Sequence, residues 1–371
     1  MPAVFIETFG CAANQADSEF IAGLLERAGF ETAASPADAD IVVLNTCIVK
    51  TPTENRIVRR MQGIVAAGKP LVIAGCMPKT SKLMIESIAP KACIVGPDSL
   101  SHIVDAAKAA LAGRKVAFVS DEREDKPGLP RVRRKKDLGI VPIAIGCLGA
   151  CSYCATKLAR GKLKSYPVEC VVAETASLVK DGCRKIWLTS EDNSCYGLDA
   201  KTNLAELIGA VSKVPGNFTI RVGMMNPTYI RDKKLLSALI EAYKNPKVSK
   251  FLHVPVQSGS DKILRAMKRG YTVADFEKIV AAFRKEVPGM YIDTDVIVGF
   301  PGETDEDFDA TVSLLARVKP EKVNLSKFGA RPGTEASKLK QLPAQAVSAR
   351  SRAVSALQRA AAPGHRPAAC A

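Results

Sequence analysis

Three short apolar runs near the start of the chain are each followed closely by a cysteine: Val4–Ile6 by Cys11, Ile41–Leu44 by Cys47 and Leu71–Ala74 by Cys76. Between them lie segments with helical spacing, such as Ser18–Ala28 with Ile21, Leu24, Leu25 and Ala28 apolar, and Ala92–Val95 is a fourth run of the same kind. Strands that alternate with helices fold as a parallel sheet covered on both faces, and the ends of consecutive strands then share one edge. Cysteines 11, 47 and 76 can therefore meet in space and hold a metal centre. The alternative for the same residues is three buried structural thiols, because cysteine packs as a small hydrophobe.

The rhythm breaks at Asp121–Lys136, DEREDKPGLPRVRRKK, whose polarity, proline and glycine mark a linker. Its bases Arg131, Arg133, Arg134, Lys135 and Lys136 read either as a solvated loop or as an RNA contact. From Leu138 the alternation resumes, with strands expected at 141–145, 185–189, 219–223, 251–255, 293–298 and 322–328. Six βα units, short of the eight of a closed barrel, predict a partial, open-sided barrel. The expected organisation is an α/β sheet domain over 1–115, a basic linker over 116–137, a barrel domain over 138–343 and an Ala/Arg-rich tail over 344–371. The first half of that tail reads as helical and its last ten or so residues as frayed.

Apolar residues are 47% and charged residues 25% of the 371, unlike a disordered or fibrous chain. Lys and Arg number 53 against 38 Asp and Glu, and the net charge of +15 favours a polyanionic partner such as nucleic acid. No signal peptide precedes Val4 and no apolar run approaches a membrane span, so a cytoplasmic protein without membrane contact is expected. In a reducing compartment, eleven cysteines point to metal or catalysis rather than disulfides.

Cys147, Cys151 and Cys154 form C-x3-C-x2-C directly after an expected strand. Three thiolates so spaced on one loop can hold three corners of a 4Fe-4S cluster and leave the fourth iron open to a non-protein ligand. A zinc site would want a fourth ligand nearby, and the histidines are only His102, His253 and His365. Chance clustering of buried thiols is the other alternative. Cys93, Cys170, Cys183, Cys195 and Cys370 follow no such pattern and read as packing residues.

Taken with ETFGCAANQADSE, LNTCIVKTPTE and VIAGCMP in the first hundred residues, and with GCLGACSYCATKLARGKLKSYP, RVGMMNP, HVPVQSGSDKILRAMKRGY, DVIVGFPGETDEDF and KVNLSKFGARPGT beyond them, the chain resembles the radical S-adenosylmethionine methylthiotransferases. The motifs run over about residues 3–343. The resemblance implies a parallel α/β N-terminal domain followed by a partial (β/α)6-type radical SAM barrel. It also implies two 4Fe-4S clusters, one on each three-cysteine set, and S-adenosyl-L-methionine (SAM). NTCIVKTPTE, RVGMMNP and KVNLSKF are most similar to the archaeal and eukaryotic branch, which converts N6-threonylcarbamoyladenosine at tRNA position 37 to its 2-methylthio derivative. Other branches act on isopentenyladenosine in tRNA or on a ribosomal-protein aspartate. The implied partners are the tRNA anticodon loop and an electron donor. The family's C-terminal RNA-binding β-barrel has no counterpart after Pro343, which makes a truncated, inactive homologue one alternative reading, and an electron carrier with two clusters is another.

Carbon 2 of adenine carries an unactivated C–H bond, and a radical derived from SAM is the implied means of breaking it. Around the first cluster the resemblance places SAM contacts at Glu191, Arg221, Gln257, Gly299 and Gly302. Glu191 stands where the family often has Gln, and a carboxylate suits the ammonium of SAM. The two glycines permit close backbone approach or serve an ordinary strand-to-helix turn. Arg221 and Gln257 sit at strand ends, as cofactor contacts or as structural hydrogen-bonders. Lys157, Arg160, Lys162 and Lys164 follow the cysteine loop with no acid among them, which suits a phosphate backbone.

Overall fold

Residues 41–46 read IVVLNT and residues 71–75 LVIAG, continuous apolar runs of the kind that a parallel sheet buries on both faces. In the computed structural model, which describes residues 1–361, both are fully buried central strands. The order along the chain is β1 (Ala3–Thr8), α1 (Ala12–Arg27), β2 (Glu31–Thr32), β3 (Ile41–Thr46), α2 (Thr51–Ala66), β4 (Leu71–Gly75), α3 (Met77–Thr80), α4 (Lys82–Ile88), β5 (Cys93–Val95), α5 (Ile103–Leu111) and β6 (Ala117–Phe118). The strands make one parallel six-stranded sheet in the order β2-β1-β3-β4-β5-β6. Val42, Leu44, Ile73 and Ile94 pack with Ile57, Met61, Met77 and Ile85 from the covering helices.

The chain divides into two compact units, Met1–Cys147 with Ala155–Cys183, and Leu148–Cys154 with the chain from Arg184 onward. The first unit thus runs past the boundary expected near residue 137. It adds β7 (Leu138–Pro142), β8 (Ala144–Ile145), α6 (Thr156–Arg160), β9 (Lys164–Ser165) and α7 (Val168–Lys180). The single strand expected at 141–145 is two: β7 ends at Pro142, which has no N–H for a ladder, and β8 pairs antiparallel with β9. The expected linker is also part of this unit. Its start, β6, is the edge strand of the sheet, and further on Val132 donates to the Glu19 carbonyl of α1 at 3.0 Å. Gly23 lets it lie there, since a Cβ at that position would stand 2.4 Å from the Pro130 carbonyl.

The second unit contains β10 (Lys185–Thr189), α8 (Leu204–Ser212), β11 (Thr219–Val222), α9 (Pro227–Ile230), α10 (Lys233–Tyr243), β12 (Phe251–His253), α11 (Asp261–Ala266), α12 (Val273–Glu286), β13 (Tyr291–Val298), α13 (Asp305–Val318), β14 (Lys322–Lys327) and α14 (Ala344–Ala361). β10 pairs in parallel with β11, and β12, β13 and β14 pair in parallel in that order. Thr272 and Thr304 start α12 and α13 with capping boxes closed by Asp275 and Asp307, which fixes where each helix begins. β7 and these five strands alternate with helices along the chain, the count expected of the partial barrel.

The first half of the tail is helical as expected, and the helix runs further, over residues 344–361, packing on β14 and α13 with Val354 and Arg350 buried. The frayed end expected for the last ten residues lies outside the described residues. No helix among the described residues is long and apolar enough to cross a membrane.

Candidate cluster and cofactor sites

The edge formed by the carboxyl ends of β1, β3 and β4 carries Cys11, Cys47 and Cys76. Cys11 is the N-cap of the sixteen-residue α1. Two glycines let the turns close. At Gly10 (φ 113°) a Cβ would stand 2.6 Å from the Cβ and 2.9 Å from the Sγ of Cys47, and at Gly75 (φ 89°) 2.4 Å from Asn45 Oδ1. Asn14 ties the strand ends together, donating to the carbonyls of Phe9 at 2.9 Å and Thr46 at 2.8 Å. Cys11 is exposed while Cys47 and Cys76 are buried, so the trio opens on the Cys11 side. Burial pushes the Cys76 thiol up to about 12, Arg160 works against that rise, and Cys11 and Cys47 are near enough to add to it. Three thiols from distant parts of the chain therefore form one group that could hold a metal cluster.

Arg160 is the first correction. Expected on a phosphate-binding surface, it is buried, and donates to Asn14 Oδ1 at 3.0 Å, to Asp17 Oδ2 at 2.7 Å and to the Cys76 thiol. Arg131 is the second: it pairs with Glu174 at 2.6 Å and Glu19 at 3.5 Å and lies over the Phe20 ring at 4.5 Å. Arg133 is the third, held by Asp181 and by Cys183 Sγ at 2.7 Å. The acids that claim these guanidiniums are near in space and, for Arg131 and Arg160, mostly far in sequence, so the segment reads as more basic than it is. Lys157 donates to the Cys147 carbonyl and Lys164 pairs with Asp125 at 2.7 Å. Arg134, Lys135, Lys136 and Lys162 are exposed, with one Arg134 nitrogen donating to the Ile6 carbonyl at 2.6 Å.

Around the second cysteine set, Gly146 (φ 76°) must be glycine, because a Cβ would overlap the Lys162 carbonyl at 2.0 Å, and the N–H of Cys147 donates to the Gly161 carbonyl at 3.2 Å. Residues 148–154 are seated in the second unit. Ser152 donates from N to Met267 O at 3.1 Å and from Oγ to Ala266 O at 2.8 Å, and Tyr153 packs edge-on to Phe300. Arg269, which sequence reasoning did not single out, is buried beneath the loop. It donates to Cys151 Sγ at 3.2 Å, Asn226 Oδ1 at 3.0 Å and Tyr271 Oη at 3.2 Å. Cys147, Cys151 and Cys154 are all partly exposed.

Of the expected SAM contacts, Gln257 has the most telling geometry. It is buried with φ 67°, a strained value for a non-glycine residue, and its Oε1 has no hydrogen-bond partner among the described residues. An acceptor in that state suits a ligand that brings a donor. Arg221 lies between the faces of Trp187 (4.7 Å) and Phe251 (4.0 Å), and Glu191 is half-buried just past β10. Gly299 (φ 78°) is corrected as a site of ligand approach: a Cβ there would meet Val347 of α14 at 2.5 Å, and its N–H already donates to Glu303 Oε2 at 2.7 Å. Gly302 (φ 84°) has open space on its Cβ side. Sequence reasoning also missed a polar row on one face of β12–β14, where His253 Nε2 meets Asp295 Oδ2 at 2.9 Å and Asn324 donates to Asp293 at 2.7 Å. A usable signal existed for Asp17, an acid four residues before Ile21 on the apolar face of α1.

The family described as Uncharacterized protein family UPF0004 matches residues 3–96, and the Radical SAM superfamily matches residues 141–315. A probable threonylcarbamoyladenosine tRNA methylthiotransferase of Pyrococcus horikoshii is 48% identical over 355 residues, 95% of this chain and 83% of that protein. The human threonylcarbamoyladenosine tRNA methylthiotransferase is 37% identical over 360 residues, 95% of this chain and 62% of that one. Among solved structures, the radical S-adenosylmethionine methyltransferase TsrM from Kitasatospora setae, with cobalamin and a 4Fe-4S cluster bound, superposes with a TM-score of 0.65 at 17% identity over 90% of this chain and 76% of that one, a likeness of fold. With both domains matched in order and close relatives aligned along nearly all of its length, the chain belongs to the radical S-adenosylmethionine methylthiotransferase family, in its threonylcarbamoyladenosine tRNA branch.

Proposed function

We propose that this chain methylthiolates N6-threonylcarbamoyladenosine at position 37 in the anticodon loop of tRNA. The observation that carries the reading is the trio Cys11, Cys47 and Cys76 at one sheet edge, in a chain that also bears the Cys147/Cys151/Cys154 loop. Cys147, Cys151 and Cys154 would hold one 4Fe-4S cluster and Cys11, Cys47 and Cys76 the other. When bound, the clusters and SAM supply the homolytic cleavage of a C–H bond, the sulfur and the methyl group.

The chain's own residues do the rest. Arg269 keeps a positive charge against Cys151 and fixes the loop that presents it. Gln257 Oε1 would accept a hydrogen bond from SAM, and Glu191 would offer a carboxylate to its ammonium. The row of His253, Asp293, Asp295 and Asn324 offers polar partners for a nucleoside. Arg134, Lys135, Lys136 and Lys162 remain as exposed cations for phosphates. Reduction calls for an external one-electron donor, for which dithionite substitutes in the assay.

The test is anaerobic incubation of reconstituted protein with SAM, dithionite and tRNA that carries threonylcarbamoyladenosine, followed by mass spectrometry of the nucleosides. The 2-methylthio product is expected, and Cys151→Ala should abolish both that product and 5′-deoxyadenosine. A protein that methylthiolates isopentenyladenosine instead, or that forms no 5′-deoxyadenosine, overturns the reading.

A further inference from the structure

Asp17 receives two cations inside the first unit: Lys126 Nζ on Oδ1 at 2.5 Å and Arg160 Nη2 on Oδ2 at 2.7 Å. The three side chains are at most 3% exposed. Burial alone would lift the Asp17 carboxyl, but Arg160 and Lys126 more than reverse this and hold it below the usual range, so it stays ionised. Two buried cations thus share one carboxylate, in a dry place where a nearby negative charge interacts strongly with them. Arg160 also donates to Asn14 Oδ1, an atom that Cys11 Sγ meets at 3.7 Å, and to the Cys76 thiol. A four-iron cluster held by three thiolates carries a single net negative charge when oxidised and one more when reduced.

We infer that Arg160 is a positioning residue for the cluster on Cys11, Cys47 and Cys76: anchored by Asp17 and Lys126, it donates to the Cys76 sulfur and raises the reduction potential of that cluster. The inference rests on reading those three cysteines as cluster ligands. Its physics is that of any cation and sulfur-directed hydrogen bond beside such a centre, which favour the form carrying the extra electron. It also explains why a residue six places after Cys154, in an otherwise basic stretch, is turned inward: α6 packs on α3, the helix that Cys76 begins, and Gly161 (φ 66°) ends α6 directly after Arg160.

The experiment is a redox titration followed by electron paramagnetic resonance on the reconstituted full chain. A companion carrying Cys147→Ala, Cys151→Ala and Cys154→Ala identifies the N-terminal signal. Arg160→Gln should leave the companion with about four irons, as one four-iron cluster requires. The ratio of reduced to oxidised cluster at a fixed potential should fall about tenfold, equivalent to about 59 mV downward for a one-electron couple. Arg160→Lys should recover most of the shift. Lys126→Met, which removes one of the two cations on Asp17 but leaves the hydrogen bond to Cys76, should shift the potential in the same direction, and it decides the matter if Arg160→Gln fails to fold. A full iron content with a potential unmoved by Arg160→Gln or by Lys126→Met overturns the inference alone. A companion that binds no iron overturns the ligand assignment beneath it.

Discussion

At the scale of single residues, a thiol held as high as Cys76 gives up its proton to a metal long before it gives it up to water. In iron-free protein at pH 8, peptide mapping after iodoacetamide should find Cys11, which is exposed, alkylated at least about tenfold faster than Cys76. The Cys76 rate should keep climbing with pH beyond 10, and a plateau below pH 9 would contradict the burial argument. Glu19 makes an opposite kind of prediction. Burial lifts its carboxyl to about 7, and Arg131, whose shorter contact is with Glu174, offsets only part of that rise. The folded state therefore holds this proton more tightly than the unfolded chain, whose value is near 4.5. Stability is full below that value and declines as pH rises through about 7, by at most about 3 kcal/mol. Glu19→Gln should flatten the urea midpoint between pH 5 and pH 8, whereas a variant that keeps the wild-type slope would place the titration elsewhere. The strand-then-cysteine positions were legible because a local pattern sets them. Arg160 was not, because its carboxylate lies 143 residues away in sequence.

At the scale of elements, α14 is the part of the chain whose role is least visible in its composition. AQAVSARSRAVSALQRAA has helix-forming residues, which made its helicity readable, yet Val347 and Arg350 look like any solvent-facing pair. Arg350 Nη1 reaches Glu303 Oε2 at 2.6 Å and Val347 fills the space that a side chain at Gly299 would take. Removal of Arg350 strands a buried carboxylate, so Arg350→Ala should destabilise the second unit by about 3–5 kcal/mol. Gly299→Ala should also destabilise, through both its φ of 78° and the clash with Val347. Thermal denaturation with both variants and with a chain ending at 343 checks this. A melting profile unchanged by loss of residues 344–371 would make the helix dispensable.

At the scale of the whole molecule, two cysteine trios imply about eight irons per chain after anaerobic reconstitution, and about four when either trio is replaced by alanine. Wild type that holds only four, all lost with Cys147, Cys151 and Cys154, would leave the N-terminal trio without a cluster. Net charge was a fair guide to a polyanionic partner but a poor one to which cations meet it, since Arg131, Arg133 and Arg160 are tied to acids. Replacement of Arg134, Lys135, Lys136 and Lys162 by Ser should reduce the salt slope of tRNA binding by about 3, at roughly 0.7 per phosphate contact on a single-stranded loop. Serine at Arg131 should cost stability rather than salt dependence. Composition marks the polar segment as a break in the chain, and only its contacts with α1 join it to the first compact unit.

The path of the chain through its two units has a consequence for synthesis. The parallel sheet is complete in sequence once Phe118 is made, yet the unit it belongs to ends only at Cys183, about 65 residues later. At roughly 5–20 residues per second, that is a delay of about 3–13 s on the ribosome. Through it Asp17 waits first for Lys126 and then for Arg160, and Cys11, Cys47 and Cys76 stand at the edge of an unfinished unit while iron delivery and oxidation compete for them.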